Sequence, residues 1–467
     1  MGLIRSFKYV YDIRRMYKQP SEKIQNFQRE RFLLLVSYAK KHSPFYSKLY
    51  RNININRNLR IEDLPIVDKE TLMNNFDEVI TVKDVKKREV LDFIKNEKQL
   101  IKLKNKYTVI HSGGTTGNLW VSIFTNDCFD FERACIIESR NLNILGNLFK
   151  KVIKLAIMTT ENLHVGSTVF YKDFPKFLCD IRHFSVCKPL QEIVEGLNYF
   201  MPDVIGAYPL MLKALAEEKA KGNLKIFPRK IFSGSFLLTD EDRNFIATHF
   251  GPIPYDIYAA TEATGPIAGE CELHKRHIYI YSTFLEAIDE DGNTADDNVA
   301  GFAVITNLMN YTQPIIRYKL NDIIQISRRK CKCGCNWPVI EKIWGRRGDL
   351  VLVKKPTGGY EILDPLLFNF KIEGLEKFQV VQEREDFLRV KIVIKKDDNY
   401  VVREIEQQMN KILKEKQLCG IVKVKIEIVP EIETEKGSDK VLNRMIHKFH
   451  YNFFDLCWIK LLCGFNS

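Results

Sequence analysis

The sequence predicts an α/β protein: a large, multi-layer N-terminal domain with a β-rich subdomain, then a small α+β C-terminal domain. Three observations carry this expectation. Between about 107 and 260, short β-branched runs alternate with longer helical patterns, the rhythm of parallel strands joined by helical crossovers. From about 278 to 328 the rhythm changes to short strands and turns, such as Asp289-Glu290-Asp291-Gly292-Asn293. Beyond Gly345-Arg346 a further, smaller set of strands surrounds one long helical pattern. At 467 residues the chain exceeds the length one core usually serves, and its 45% hydrophobic content suffices for more than one.

In chain order, residues 1–106 form the expected helical segment of the large domain, with Phe32-Leu33-Leu34-Leu35-Val36 as a buried turn and Leu64-Pro65-Ile66 as a break. Within it, residues 3–17 set Leu3, Ile4, Phe7, Val10, Tyr11 and Ile13 among Arg5, Lys8, Arg14 and Arg15. This basic amphipathic pattern suits a helix docked on the body of the protein, the alternative being a membrane interface. Residues 107–345 form the core of the large domain, with strands expected at 152–158, 204–208 and 230–232 and helices at 189–200 and 209–221. Residues 346–447 form the small domain, with strands at 351–353, 390–394 and 422–429 and a helix near 401–416. Residues 448–467 make a hydrophobic tail containing Phe453, Phe454, Leu456, Trp458, Ile459, Leu461 and Leu462, a docked helix or a peripheral membrane contact.

Charge and cysteine usage exclude several classes. The 71 basic residues against 59 acidic ones give +12, yet they are spread along the chain, and no helix-turn-helix or RNA-binding signature occurs. Nucleic acid is therefore not an expected partner. Eleven cysteines in a chain this long, without a signal peptide, argue against a secreted disulfide scaffold. No apolar run approaches the roughly 20 residues that span a bilayer. The expected location is cytoplasmic, at most peripheral at a membrane.

Chemistry-bearing motifs follow one another along the chain. Tyr107-Thr108-Val109-Ile110 leads into Ser112-Gly113-Gly114-Thr115-Thr116-Gly117, a strand that ends in a glycine turn rich in hydroxyls. Glycines let the backbone approach polyphosphate closely, while Ser112, Thr115 and Thr116 add donors. Asn118 and Leu119 stand where a Walker A loop continues with Lys-Ser/Thr, so this is a different phosphate loop or, taken alone, a plain turn. Then come Tyr258-Ala259-Ala260-Thr261-Glu262, Arg317-Tyr318-Lys319-Leu320-Asn321-Asp322, Gly345-Arg346-Arg347-Gly348-Asp349 and Lys436-Gly437-Ser438-Asp439-Lys440. In that order the five boxes resemble those of the adenylate-forming (AMP-binding) superfamily, the acyl-CoA synthetases and their relatives. Thr306-Asn307-Leu308-Met309-Asn310 with Pro314-Ile315-Ile316-Arg317-Tyr318 resembles the phenylacetate–CoA ligase branch, especially its capsular-polysaccharide-biosynthesis relatives. The resemblance runs from about residue 37 to about residue 440.

This resemblance implies that a small carboxylic acid is activated by ATP, releasing pyrophosphate, and passed to coenzyme A, or alternatively to an amine or sugar. It also implies a small C-terminal domain that works as a lid. The glycine turn, through Ser112, Gly114, Thr115, Thr116 and Gly117, suits the β- and γ-phosphates. Glu262 suits Mg²⁺, which takes one or two carboxylates beside phosphate oxygens. The family assigns Thr261 an α-phosphate contact and Tyr258 an adenine surface; an ordinary helix cap is the alternative for Thr261-Glu262. Asp322 can accept from both ribose hydroxyls, or be a turn aspartate. Arg317 neutralises a phosphate or pairs with a surface acid, and Arg346 contacts nucleotide near the hinge. Lys440 resembles the lysine that stabilises transition-state charge, with Lys436 as the other candidate. Gly348 in the hinge box, Ser233-Gly234-Ser235 and Leu119 depart from the family pattern, and they motivate a rival reading as a non-catalytic nucleotide-binding relative.

A further cluster points to zinc. Cys271 and His277, with His274 between, precede Cys331-Lys332-Cys333-Gly334-Cys335. Three thiols and an imidazole make a four-coordinate structural site, for which Cys271, His277, Cys331 and Cys333 are the first choice. Some members of the resembled branch carry a comparable cluster. Reduced intracellular cysteines are the alternative.

Overall fold

The computed structural model describes the chain except residues 1, 97–101, 113–118, 140–151, 160–163, 165, 172, 173, 175, 177, 178, 290, 291, 347–350, 355–359, 364, 369, 371, 385, 396–398, 433–444 and 448–467. The predicted Gly114, Thr115, Thr116, Gly117, Lys436 and Lys440, and the hydrophobic tail, lie outside the described residues.

The strands in chain order are β1 (Thr108–His111), β2 (Val121–Phe124), β3 (Ile153–Thr159), β4 (Cys179–Ser185), β5 (Val204–Ala207), β6 (Lys230–Gly234), β7 (Tyr255–Ala260), β8 (Gly265–Glu270), β9 (Arg276–Ile278), β10 (Thr283–Ile288), β11 (Ala300–Asn307), β12 (Tyr318–Ser327) and β13 (Val339–Arg346). The C-terminal part adds β14 (Val351–Lys354), β15 (Tyr360–Leu363), β16 (Leu375–Arg384), β17 (Phe387–Ile394), β18 (Lys423–Ile428) and β19 (Met445–His447). The fold is thus α/β, with long sheets and crossover helices.

The chain divides into two compact units that do not follow chain order. The first holds Met1–Leu285, Val304–Lys319 and Ser327–Glu341; the second holds Glu286–Ala303, Leu320–Ile326 and Lys342–Ser467. The boundary therefore differs from a single cut at 345/346, because β10, β11, β12 and β13 each run from one unit into the other.

In the first unit the sheet order is β13–β9–β8–β7–β6–β5–β3–β4. The pairs from β4 through β3, β5 and β6 to β7 are parallel, and β7–β8, β8–β9 and β9–β13 are antiparallel. β3 reads Ile-Lys-Leu-Ala-Ile-Met-Thr and is buried at every position but Lys154. Such near-continuous apolar runs belong to parallel strands covered on both faces. The covering helices are built from their own signals. Leu190–Phe200 buries Ile193, Val194, Leu197 and Phe200, one helical face, and ends on a left-handed Met201. Those four side chains each contribute about 1.5–3 kcal/mol by leaving water. Pro209–Ala220 starts with Pro at its first position, where the missing N–H costs nothing. Asp240–Phe250 is capped by the Thr239 hydroxyl, which accepts from Asp242 N, and stops at Gly251 with φ +92°.

The expected docking of the first helix, Gly2–Met16, is what the first unit contains. Val10, Ile13 and Met16 are buried. Arg5 pairs with Asp127 at 2.7 Å, Arg14 with Glu138 at 2.8 Å, and Ser6 Oγ donates to the Asp130 carbonyl at 2.9 Å, all on helix Asn126–Ser139. Among the described residues, no helix is long and apolar enough to cross a membrane.

The second unit contains part of β10–β11–β12–β13 in that order, a β14–β15 hairpin and a four-stranded sheet ordered β18–β17–β16–β19. Helix Asn399–Glu415 buries Val401, Ile405, Met409, Ile412 and Leu413 in the same core as Val380, Leu388, Val390 and Ile392.

Candidate functional site

Thr261 and Glu262 sit where the parallel run ends. They open the four-residue turn 261–264 that reverses β7 into β8, not a helix cap. Ala263 N donates to the Ala260 carbonyl at 3.1 Å and Thr264 N to the Thr261 carbonyl at 3.0 Å. Thr264 has φ +63°, the left-handed conformation such a reversal needs, and it is held there by its side chain. Its hydroxyl donates to Glu132 Oε1 at 2.9 Å. The carboxyl ends of parallel strands are where α/β proteins collect ligands.

Three sets of side chains lock this turn to the root of the glycine-rich segment. The first runs through β2. Ser112 N donates to the Trp120 carbonyl at 3.1 Å and Trp120 N to Ser112 Oγ at 3.2 Å, closing the chain on either side of residues 113–118. Trp120 Nε1 donates to Ser122 Oγ at 2.7 Å, and Ser122 Oγ donates to the Thr261 carbonyl at 3.0 Å. The second is Tyr318, whose hydroxyl donates to Glu262 Oε1 at 3.3 Å and whose ring lies 5.1 Å from that of Trp120. Burial, then the neighbouring Glu262 charge, pushes the Tyr318 phenol far above its ordinary range, so it stays a proton donor.

The third set is the segment Thr306–Gln313, which supplies buried amides. Asn307 Nδ2 donates to the Ala263 carbonyl at 2.9 Å and to Thr264 Oγ1 at 3.0 Å, while its Oδ1 accepts from Met309 N and Asn310 N. Gln313 completes the β2 edge, accepting from Ile123 N at 2.8 Å and donating to the Val121 carbonyl at 3.0 Å. Asn310 Nδ2 donates to the Ile123 carbonyl at 3.0 Å. Buried amides satisfied on every side fix backbone positions, because leaving one unmade costs about 1–3 kcal/mol.

Arg317 is deeply buried, not a surface residue. It is 1% exposed, with φ +47°, and its guanidinium donates to the Leu64 carbonyl at 2.8 Å and the Glu62 carbonyl at 3.3 Å. The Leu64-Pro65 break leaves carbonyls facing inward, and a buried guanidinium satisfies them. With Val67 bonded to Arg317 and Lys319 through the backbone, this sets the position of Tyr318.

Of the remaining candidates, Tyr258 is half-buried on β7 opposite Ala268. Asp322 is half-buried on β12 within the second unit, and Arg346 ends β13 there. The sequence reading missed Trp120, Ser122, Asn307, Asn310 and Gln313 as builders of the site, and Glu132 altogether. Glu132 is fully buried; burial outweighs the Thr264 hydrogen bond and pushes its carboxyl up to about 8. Its Oε2 lies against Gly265, where any Cβ would overlap it. An acid set among the apolar and aromatic residues of Cys128-Phe129-Asp130-Phe131-Glu132-Arg133-Ala134-Cys135 is the signal that could have found it.

At the other end of β8, two turns bring the Cys/His cluster together. Cys271 N donates to the Lys275 carbonyl in the β8–β9 turn, and Gly334, at φ +87°, bends the Cys331–Cys335 turn that precedes β13. Because β9 pairs with β13, His277 opposite Val339, these turns become neighbours. The ligand atoms of Cys271, His277, Cys331 and Cys333 all lie within 4.8 Å of one another, and Cys333 Sγ is 3.3 Å from His277 Nε2. A tetrahedral zinc site spaces its ligand atoms by roughly 3.5–3.8 Å, so the donor set fits. His277 Nδ1 donates to the Trp337 carbonyl at 3.1 Å, which turns the Nε2 lone pair toward the thiols. Burial lowers the His277 pKa and keeps the imidazole neutral, the form that binds metal. Cys335 N donates to Cys333 Sγ at 3.4 Å, so Cys335 supports the turn from its backbone.

No family model matches the chain. Protein CapK of Staphylococcus aureus is 22% identical over 399 residues, covering 82% of this chain and 81% of that protein. A phenylacetate-coenzyme A ligase of Thermus thermophilus is 23% identical over 380 residues, covering 79% of this chain and 80% of that protein. Among solved structures, 2-hydroxyisobutyryl-CoA ligase in its postadenylation state with R3-HIB-AMP matches with a TM-score of 0.67 at 16% identity, covering 93% of this chain and 91% of that one. The o-succinylbenzoate CoA synthetase of Bacillus subtilis with its acyl-adenylate matches with a TM-score of 0.51 at 14% identity, covering 72% and 67%. In sequence and in fold, then, the chain resembles the adenylate-forming superfamily, on its phenylacetate–CoA ligase and CapK branch.

Proposed function

We propose that this chain is an AMP-forming acid–thiol ligase: it activates a small carboxylic acid with ATP, releases pyrophosphate, and passes the acyl group to coenzyme A. The observation that carries the reading is the shared anchorage of the Thr261-Glu262 turn and the Ser112–Trp120 root through Ser122, which ties a carboxylate to a glycine-rich segment. The substrate carboxylate is already a nucleophile, so the site needs no general base; it needs a held triphosphate and an offset for growing phosphate charge.

Glu262, steadied by the Tyr318 hydroxyl, would hold Mg²⁺, which when bound neutralises phosphate charge. Ser112, Gly114, Thr115, Thr116 and Gly117 would cradle the β- and γ-phosphates. Thr261 would contact the α-phosphate, Tyr258 the adenine, Asp322 the ribose hydroxyls and Arg346 the nucleotide near the hinge. Lys440, or Lys436, would reach the site from the small domain acting as a lid. Zinc at Cys271, His277, Cys331 and Cys333 would be structural, since four protein ligands leave no position for substrate. The resemblance of Thr306–Asn310 and Pro314–Tyr318 to capsular-polysaccharide-biosynthesis relatives makes an amine or sugar the second acceptor class.

The test is to incubate the protein with ATP, Mg²⁺ and a panel of aryl, fatty and amino acids, with and without coenzyme A. Acid-dependent pyrophosphate, followed by AMP and thiol consumption, is the expected result. Pyrophosphate without thiol consumption transfers the second step to an amine or sugar. ADP and phosphate as products contradict the reading, and ATP binding without turnover across the panel favours a non-catalytic relative.

A further inference from the structure

We propose that the Cys/His cluster, loaded with zinc, is the clasp that seats the carboxyl end of the N-terminal helix on the large unit. This rests on the structural-zinc reading above and adds a task for the metal that the cluster's composition does not state.

The turn that carries Cys331 and Cys333 runs on to the first helix. Directly after Cys335, the chain presents Asn336 and Trp337 to the end of the helix Gly2–Met16. Trp337 Nε1 donates to the Met16 carbonyl at 3.3 Å, Asn336 N to the Tyr17 carbonyl at 2.9 Å, and Asn336 Nδ2 to the Gln19 carbonyl at 2.9 Å. The last carbonyls of a helix have no partners within the helix, and here a single dipeptide donates to the final one, Met16, and to the carbonyls of Tyr17 and Gln19 just beyond it. The Tyr17 and Trp337 rings meet edge-on at 4.4 Å. Cys335 and Trp337 share the core cluster of Val10, Ile13 and Met16.

The same dipeptide is tied to the cluster from the other side. The Trp337 carbonyl accepts from His277 Nδ1, and Cys335 N rests on Cys333 Sγ. One nitrogen of His277 therefore faces the metal position while the other holds the residue that caps the helix. The Cys331–Trp337 segment is a loop with few backbone bonds of its own, Gly334 N to the Cys331 carbonyl at 3.1 Å among them. Zinc fixes such a loop by joining it to Cys271 and His277. Without it, three thiols and an imidazole give the loop little reason to hold one shape.

Nearer its amino end the helix has its own anchors, the Ser6 hydroxyl on the Asp130 carbonyl, Tyr281 on the Asp12 carbonyl and the buried Val10, whereas the residues past Met16 lean on the Asn336-Trp337 dipeptide. The carboxyl end is thus where release would begin. Exposed Arg15 and Lys18 offer trypsin cleavage sites there, open only when that end unfolds locally.

The test uses the full-length protein and needs no nucleotide, so its outcome is independent of the ligase reading. Zinc per chain is measured first. Hydrogen exchange of residues 2–20 and trypsin cleavage after Arg15 and Lys18 are then followed in untreated protein, in chelator-treated protein and in Cys333→Ser. Loss of zinc is expected to speed both processes by about tenfold, the equivalent of losing one to two net hydrogen bonds, and added zinc reverses it in the chelated wild type. Trp337→Phe keeps the backbone carbonyl that orients His277, so it retains zinc yet loosens residues 2–20. One zinc per chain whose removal leaves residues 2–20 unchanged overturns the clasp and spares the metal site. A folded chain that holds no zinc and takes none up overturns both.

Discussion

The two ends of β8 make an instructive pair. At one end the turn 261–264 is satisfied entirely by protein: Ser122, Tyr318, Asn307 and Glu132 each engage it through a side chain. At the other, about 20 Å away along six residues of strand, Cys271 meets His277, Cys331 and Cys333 in a cluster whose groups complete one another only around a cation. The first end fixes the backbone beside a half-buried carboxylate, Glu262, through these side chains. In the proposed reading the second would hold the scaffold through its metal ligands, so one short strand would serve chemistry at one end and architecture at the other.

Perturbations at each end sharpen the contrast. Glu262→Gln is expected to have the largest effect, lowering adenylation by about 10²–10³-fold with folding intact, since it removes the anionic ligand proposed for Mg²⁺ but keeps an oxygen for the Tyr318 contact. Retained activity would strip the turn of its assigned role.

Glu132 comes next. Its carboxyl sits near 8 in the folded chain against 4.5 ordinarily, because burial disfavours the charge. Between those values the unfolded chain has released the proton and the folded chain keeps it. Stability is therefore fully present below about 4.5 and falls as pH rises toward 8, by at most about 1.4 kcal/mol per pH unit. Glu132→Gln should flatten the decline in urea midpoint over this window, and parallel profiles for the two proteins would contradict the assignment.

Asn307→Ala breaks bonds to Ala263, Thr264, Met309 and Asn310 together, and should cost about 2–4 kcal/mol in urea unfolding. A change within about 0.5 kcal/mol would show that the turn holds itself. The smallest effect belongs to Tyr318→Phe. Losing one hydrogen bond to Glu262 should raise the Mg²⁺ requirement for adenylation about three- to tenfold, with little change in stability. An unaltered Mg²⁺ dependence would detach Tyr318 from the site.

Much of this arrangement was legible in the chain, but unevenly. The strands expected at 152–158, 204–208 and 230–232 appear as β3, β5 and β6, and the helices at 189–200 and 209–221 as Leu190–Phe200 and Pro209–Ala220. Fully covered parallel strands and amphipathic helices announce themselves through local patterning. The Cys/His cluster was legible by residue type, and β9–β13 pairing explains how ligands 60 positions apart converge on one spot.

What stayed hidden are contacts between distant segments. Ser122 and Thr261 lie 139 positions apart, and Glu262 and Tyr318 lie 56 apart, with nothing local to mark either pair. Arg317 looked like a phosphate or surface ligand because its burial depends on carbonyls freed at Leu64-Pro65, far upstream. The phrase Thr306–Asn310 marked a resemblance; its physical content, buried amides clamping β2 and the turn, emerges only once both are in place.

The central claim is that the 261–264 end of β8 is where a carboxylic acid is adenylated. The most direct measurement is acid-dependent exchange of labelled pyrophosphate into ATP, compared between wild type and Glu262→Gln at matched folding and zinc content. The account predicts exchange with at least one acid of the panel in wild type and its near-complete loss in the variant. Equal exchange in the two proteins would contradict it.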